Sequence, residues 1–155
     1  MEERVEEESF LIGLGEGLGH CVPLTGSRPF EELLHVTRSV NLARGAGRGV
    51  AESFGYLNLP EVLGMLEYAR FSPEYGQVLG EGLAEKFASL DEEKQSWILD
   101  ALQKDNEFSK AFASIFPKNL MYFPSQTKER IKVMALNFHT LRSRLKRVIL
   151  GQFPE

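Results

Sequence analysis

Apolar residues recur every four positions in three glycine-rich segments of the chain, and again in a fourth segment that lacks the glycines. The segments are FLIGLGEGLGHCV, LARGAGRGVAESF, YGQVLGEGLAEKF and FSKAFASIFPKNL. Anchored on Gly15, Gly47, Gly80 and Ala113, they follow one another at intervals of 32, 33 and 33 residues. Recurrence at such a period indicates a tandem array of one supersecondary unit.

The aligned units share columns of apolar residues in both halves. The first-half columns, spaced i, i+4, i+8 and i+12 as on one helical face, are Phe10/Leu42/Tyr75/Phe108, Leu14/Ala46/Leu79/Phe112, Leu18/Val50/Leu83/Phe116 and Val22/Phe54/Phe87/Leu120. The second-half columns are Leu33/Met65/Ile98/Ile131, Leu34/Leu66/Leu99 (interrupted by Lys132) and Thr37/Ala69/Leu102/Ala135. Two helices per unit are therefore predicted, pairing residues 10–22 with 29–38, 42–55 with 60–70 and 74–87 with 91–103.

Turn and capping residues separate the predicted helices. Second helices are expected to start in Asn58-Leu59-Pro60-Glu61, Leu90-Asp91-Glu92-Glu93 and Pro124-Ser125-Gln126-Thr127, and first helices in Ser72-Pro73-Glu74 and Asp105-Asn106-Glu107. No segment alternates with the period of a half-buried strand. The predicted fold is all-α: a right-handed α-solenoid forming one domain over residues 1–155. Its four helix-turn-helix repeats cover about 8–39, 40–71, 72–104 and 105–137, followed by a capping helix at 138–150.

The glycines of the first helices need a structural explanation, because each glycine inside a helix costs about 1 kcal/mol relative to alanine. We expect small residues to let neighbouring helix backbones approach on two faces. One face carries Gly15/Gly19, Gly47/Ala51 and Gly80/Ala84, and the other carries Gly13/Gly17 and Gly45/Gly49. The fourth unit has Ala113, Ile115 and Pro117 instead, and Pro117 is expected to end or kink its helix. A phosphate-binding loop is not indicated, because no strand precedes these glycines.

Composition and cysteine content place the chain among soluble proteins. Its 155 residues are 43% hydrophobic and 26% charged, which suits one globular domain. The single cysteine, Cys21, is expected near the buried column and cannot form an internal disulfide, which favours a cytoplasmic location. The acidic N-terminus does not resemble a signal peptide, and no apolar run approaches about 20 residues, so no membrane partner is expected.

Catalytic and metal-binding patterns are not evident in the sequence. Adjacent His20 and Cys21 diverge on a helix, and His35 and His139 have no partner at ligand spacing. Nucleophile-elbow, zinc-protease and Cys-x-x-Cys motifs do not occur. The sequence therefore predicts a protein without enzymatic activity, cofactor or metal.

Two sets of charged residues are candidates for recognition. Glu16, Arg48, Glu81 and Ser114 occupy one repeat position whose charge varies between units, although an unconstrained exposed position is an equally good explanation. The C-terminal set is basic, since residues 108–155 carry 9 basic and 2 acidic side chains whereas residues 52–107 carry 4 and 12. Its members are Lys128, Arg130, Lys132, Arg142, Arg144, Lys146 and Arg147. A solvated cap or a patch for an acidic protein is the favoured interpretation.

The repeated unit resembles the helical hairpins of HEAT-like and tetratricopeptide-like solenoids. It is shorter than a typical HEAT repeat and lacks the spaced Trp, Tyr, Ala and Pro of tetratricopeptides. The glycine-rich form in FLIGLGEGLGHCV and YGQVLGEGLAEKF is similar to arrays in large prokaryotic, especially archaeal, multidomain proteins, which implies a sensor or docking role. We therefore expect a non-enzymatic scaffold or adaptor module that binds a protein or peptide, with self-association left open. The alternative is a nucleic-acid-binding array that uses the basic C-terminal helix.

Overall fold

The described part of the chain consists of helices and short connections. A computed structural model describes residues 2–102, 104, 106–137, 147, 150 and 151. Its α-helices are α1 (Glu2–Thr25), α2 (Arg28–Thr37), α3 (Val40–Ser53), α4 (Leu59–Tyr68), α5 (Pro73–Lys86), α6 (Glu92–Ala101), α7 (Glu107–Leu120) and α8 (Ser125–Asn137). Short 3-10 turns at Phe54–Tyr56 and Phe87–Ser89 extend α3 and α5. The all-α prediction is confirmed for these residues, which contain no strand.

Helix starts at the predicted capping residues are seen for α4, α5, α6 and α7. The side chains of Ser72 and Asn106 accept hydrogen bonds from backbone N–H groups in the first turns of α5 and α7, and Ser39, which was not predicted as a cap, does the same for α3. Asn58 forms a capping box with Glu61 at α4, and Asp91 caps α6. Such caps satisfy amide groups that a helix leaves unpaired. The starts of α4, α6 and α8 are 33 residues apart, as are those of α3 and α5.

The helices α1, α3, α5 and α7 pack side by side in that order, with α3 against α1 and α5, and α5 against α3 and α7. Glycine permits this packing, because a Cβ on any of six glycines would lie too close to the backbone of a neighbouring helix. These glycines are Gly15 and Gly19 of α1, Gly45, Gly47 and Gly49 of α3, and Gly80 of α5. The predicted close approach is thus confirmed on both faces of α3. It is wrong for Gly13 and Gly17, around which a Cβ would have nothing within 4 Å.

The core is built from the predicted apolar columns. In α3, α5 and α7 all four column positions are buried, and Met65, Ile98 and Ile131 are buried in the second helices. The first unit differs, since Phe10 is 66% exposed and Leu14 is 42% exposed. The equivalent residue of α5, Tyr75, packs edge-to-face against Phe30 of α2 and Tyr68 of α4. No described helix covers Phe10 in this way.

Phenylalanine replaces glycine in the packing around α7. Phe112 and Phe116 stack at 5.0 Å between ring centroids, and Phe87 and Phe123 contact Phe116 edge-on at 5.1 and 5.8 Å. Pro117 was expected to end or kink its helix, but it lies inside α7, which continues to Leu120, so the helix does not end there. A proline in the last turn still removes a backbone donor, and the surrounding rings hold this segment in the core.

Three sequence expectations concern α1 and the C-terminal cap. The first helix is longer than predicted, because α1 begins at Glu2 and passes through Pro23 to Thr25. Cys21 is exposed on α1, which contradicts its expected place near the buried column. The predicted cap at 138–150 lies outside the described residues except for Arg147, which is exposed, and Leu150, which packs partly buried against the core.

Candidate functional site

The predicted variable position lies on a ridge of charged side chains along the layer of first helices. We call this the charged ridge, and its members are Glu16 and His20 of α1, Arg48 and Glu52 of α3, and Glu81 and Glu85 of α5. Arg48 Nη1 lies 4.0 Å from Glu16 Oε2. Arg48 and Glu81 line one shallow pocket of about 210 Å³ between α3 and α5, together with Glu52 and Glu85. The structure therefore brings the three predicted residues to one surface.

A second contact on the charged ridge, between His20 and Glu52, was not predicted from the sequence. His20 Nε2 lies 2.6 Å from Glu52 Oε2 across the α1–α3 contact. Glu16, one turn before His20, completes a group whose potential ligand atoms all lie within 4.8 Å of one another. The register did contain a signal, because His20, Glu52 and Glu85 occupy the same repeat position.

The outer face of α1 is an exposed version of a surface that is buried on α3. We call it the open α1 face, and it consists of Phe10, Gly13, Leu14, Gly17 and Cys21, all exposed. The residues 32 positions later, Leu42, Gly45, Ala46, Gly49 and Ser53, are all buried. One helical surface therefore occurs twice in the described residues, once covered and once uncovered.

The covered copy shows how this surface receives a helix. A Cβ on Gly45 would overlap the carbonyl oxygen of Ile12, and one on Gly49 would overlap that of Glu16. The hydroxyl of Ser53 lies 3.0 Å from the carbonyl oxygen of Gly19, to which it can donate a hydrogen bond. Close backbone contact and the contact between Ser53 and the Gly19 carbonyl thus hold α1 against α3. Close approach of this kind increases van der Waals contact between helices.

Another apolar surface lies between α2 and α4. Val36 and Phe71 are exposed there, beside the partly buried Tyr68, and line a groove of about 480 Å³ with Glu31, Glu32 and His35. Burial raises the pKa of the Tyr68 phenol, and the negative charge of Glu31 raises it further. Phe71 and Val36 stand outside the repeat columns, which explains why the periodicity did not indicate this groove.

The basic C-terminal set is only partly described. Arg130 is engaged in the fold, because its Nη2 donates to the side-chain oxygen of buried Gln95 at 2.9 Å and its Nη1 lies 3.5 Å from Glu92. Gln95 in turn donates to the carbonyl oxygen of Phe87 at 2.7 Å. Lys128 and Lys132 are partly buried on α8 and Arg147 is exposed. Arg142, Arg144 and Lys146 lie outside the described residues, so the basic C-terminal patch stays a prediction.

Known proteins give no direct guide to these surfaces. Comparison with family models, with curated proteins and with solved structures finds no match to this chain. Among the described residues, no helix is both long and apolar enough to cross a membrane. The described residues form an all-helical structure in which α1, α3, α5 and α7 pack side by side.

Proposed function

We propose that the chain is a protein-interaction module built from four helical-hairpin repeats in a right-handed solenoid, and that its open α1 face binds a helix of a partner protein or peptide. The observation that carries this proposal is the equivalence between the open α1 face and the surface by which α3 holds α1. Helix starts 33 residues apart, at α3 and α5 and at α4, α6 and α8, support the repeat architecture, as does the side-by-side packing of α1, α3, α5 and α7.

The open α1 face has the composition of a helix-docking surface. Phe10 and Leu14 supply exposed apolar area, while Gly13 and Gly17 leave space for a second backbone between them. On α3 the docked helix presents Gly15 and Gly19 toward its neighbour. The expected ligand is therefore a helix that also carries small residues four positions apart, lying parallel to α1. Helix-in-groove recognition of this kind uses i, i+3, i+4 and i+7 anchors.

A second copy of the chain is a less suitable occupant. The small-residue face of α1 that could dock on another molecule is already in contact with α3. On α7 the corresponding positions are Ala113 and Pro117, which would not allow the same approach. The partner is thus expected to be a different protein. The nucleic-acid alternative loses support, since Arg130 already has Gln95 and Glu92 as partners.

Affinity selection from a displayed library of helical peptides tests this function. We expect selected peptides to carry small residues at four-residue spacing. We also expect Gly17→Leu to weaken their binding at least about tenfold, which is 1.4 kcal/mol. Because nothing lies within 4 Å of a Cβ at Gly17, this variant should fold normally.

The matched control adds the same side chain elsewhere. Gln77 is exposed on α5, and Gln77→Leu should leave peptide affinity unchanged. Equal binding by wild type and Gly17→Leu would contradict the proposal. Sedimentation showing a homo-oligomer that Gly17→Leu disperses would also contradict it, since the occupant would then be a second copy. Salt-sensitive binding of a labelled duplex without peptide binding would favour the nucleic-acid alternative.

A further inference from the structure

We propose that Glu16, His20 and Glu52 form a binding site for a divalent first-row transition-metal ion, with Zn²⁺ as the representative case. Two carboxylates and one imidazole offer the oxygen and nitrogen ligands that such ions accept. The ligand atoms lie within 4.8 Å of one another. In tetrahedral coordination with Zn–ligand distances of 2.0–2.1 Å, the ligand atoms are about 3.3 Å apart. Modest side-chain rotation would therefore bring these three ligand atoms to coordination distance from one ion.

The arrangement of ligands follows from helix geometry. Glu16 and His20 are separated by one turn of α1, so their side chains share a face. Glu52 approaches from α3 and already holds His20 Nε2 at 2.6 Å. A metal ion would bind the Nε2 lone pair in place of this contact, and a proton on that nitrogen would be released to solvent.

Close packing of α1 on α3 holds the ligand backbones in place. Gly19 and Gly49 lie directly in the contact, where a Cβ on Gly19 would come within 2.6 Å of Val50 N. The Ser53 hydroxyl adds a link to the carbonyl oxygen of Gly19 at 3.0 Å. Glu16 and His20 therefore project from a stretch of α1 whose distance to Glu52 is fixed. A preorganised site loses less conformational freedom when it binds an ion.

One cation competes with the metal. Arg48 Nη1 lies 4.0 Å from Glu16 Oε2, and its charge would repel a divalent ion bound nearby. Removal of Arg48 should therefore strengthen metal binding. No such effect is expected if Glu16, His20 and Glu52 only form ion pairs that stabilise the fold. Partial exposure of all three ligands also leaves coordination positions for water or for a ligand from another molecule.

Calorimetric titration of the intact chain with Zn²⁺ tests the site. We expect one ion to bind per chain. His20→Ala and Glu52→Gln should each weaken binding at least about tenfold, and Arg48→Gln should strengthen it about threefold or more. The matched controls are His35→Ala on α2 and Glu85→Gln, which occupies the Glu52 position of the next unit. Both should retain wild-type affinity.

Two results would overturn the proposal. The first is Zn²⁺ binding to wild type that is absent or no tighter than binding to His20→Ala and Glu52→Gln. The second is an equal loss in the control variants, which would indicate diffuse binding by surface carboxylates and histidines. Circular dichroism of each variant establishes that it is folded. Since Glu16, His20 and Glu52 do not belong to the open α1 face, failure here leaves the peptide-binding proposal unaffected.

Discussion

Replacing Phe108 by alanine should destabilise the protein by about 3–5 kcal/mol, whereas the same replacement at Phe10 should change stability by less than about 0.5 kcal/mol. The two residues occupy the same repeat column, but Phe108 is 1% exposed and Phe10 is 66% exposed. Phe108 also contacts the Phe112 ring at 6.4 Å between centroids. Truncation there removes buried apolar surface and leaves a cavity that the surrounding rings cannot fill.

Urea unfolding followed by circular dichroism measures both changes in free energy. Phe108→Ala and Phe10→Ala change the same residue type at equivalent positions of the aligned units. The difference between their free energies of unfolding therefore reports the difference in burial. Similar losses for the two variants would mean that Phe10 is covered. The open α1 face would then not exist in solution, and the proposed peptide-binding surface would be withdrawn with it.

Replacing Gly45 by alanine should destabilise the protein by about 1–3 kcal/mol, although alanine is the better helix former. The added Cβ would overlap the backbone of Ile12 on α1, and a backbone cannot move aside as a flexible side chain can. Either α1 shifts away from α3 or Gly45 is displaced from its helical position. Both changes reduce contact along the whole α1–α3 interface.

Gly13→Ala is the matched control for Gly45→Ala, because the two glycines occupy the same repeat position. A Cβ at Gly13 meets nothing within 4 Å. We therefore expect this variant to gain up to about 1 kcal/mol of stability from helix propensity. Opposite signs for the two substitutions support the packing account. Stabilisation by both would show that α1 and α3 do not approach closely at Gly45.

The sequence predicted the helices and most of the core because both depend on local periodicity. Asn58, Ser72 and Asp91 mark helix starts through their own side chains, and the columns from Leu42 to Leu120 identify a buried face. Periodicity cannot reveal whether a neighbour is present. Phe10 and Gly13 have the pattern of Leu42 and Gly45, yet they are exposed, since no helix of the described residues lies outside α1.

The sequence predicted the charged ridge but not the His20–Glu52 contact or the groove at Val36 and Phe71, because local patterns do not show which helices pack together. Variation among Glu16, Arg48 and Glu81 located the charged ridge, because it is visible within one aligned column. His20 and Glu52 lie in a single column as well, but their contact joins successive units, which only the packing of α1 on α3 establishes. The groove at Val36 and Phe71 required the relative placement of α2 and α4, which no local pattern contains.

The helices α1, α3, α5 and α7 approach one another backbone to backbone at glycines, and the proposal that the open α1 face binds a helix depends on this packing. The most direct measurement is a nuclear Overhauser spectrum of protein labelled at glycine. A Cβ on Gly49 would lie 3.0 Å from the Cα of Gly19, so their α-protons should give a strong cross-peak that urea abolishes. Glycine α-protons that show contacts only within their own helix would contradict the account.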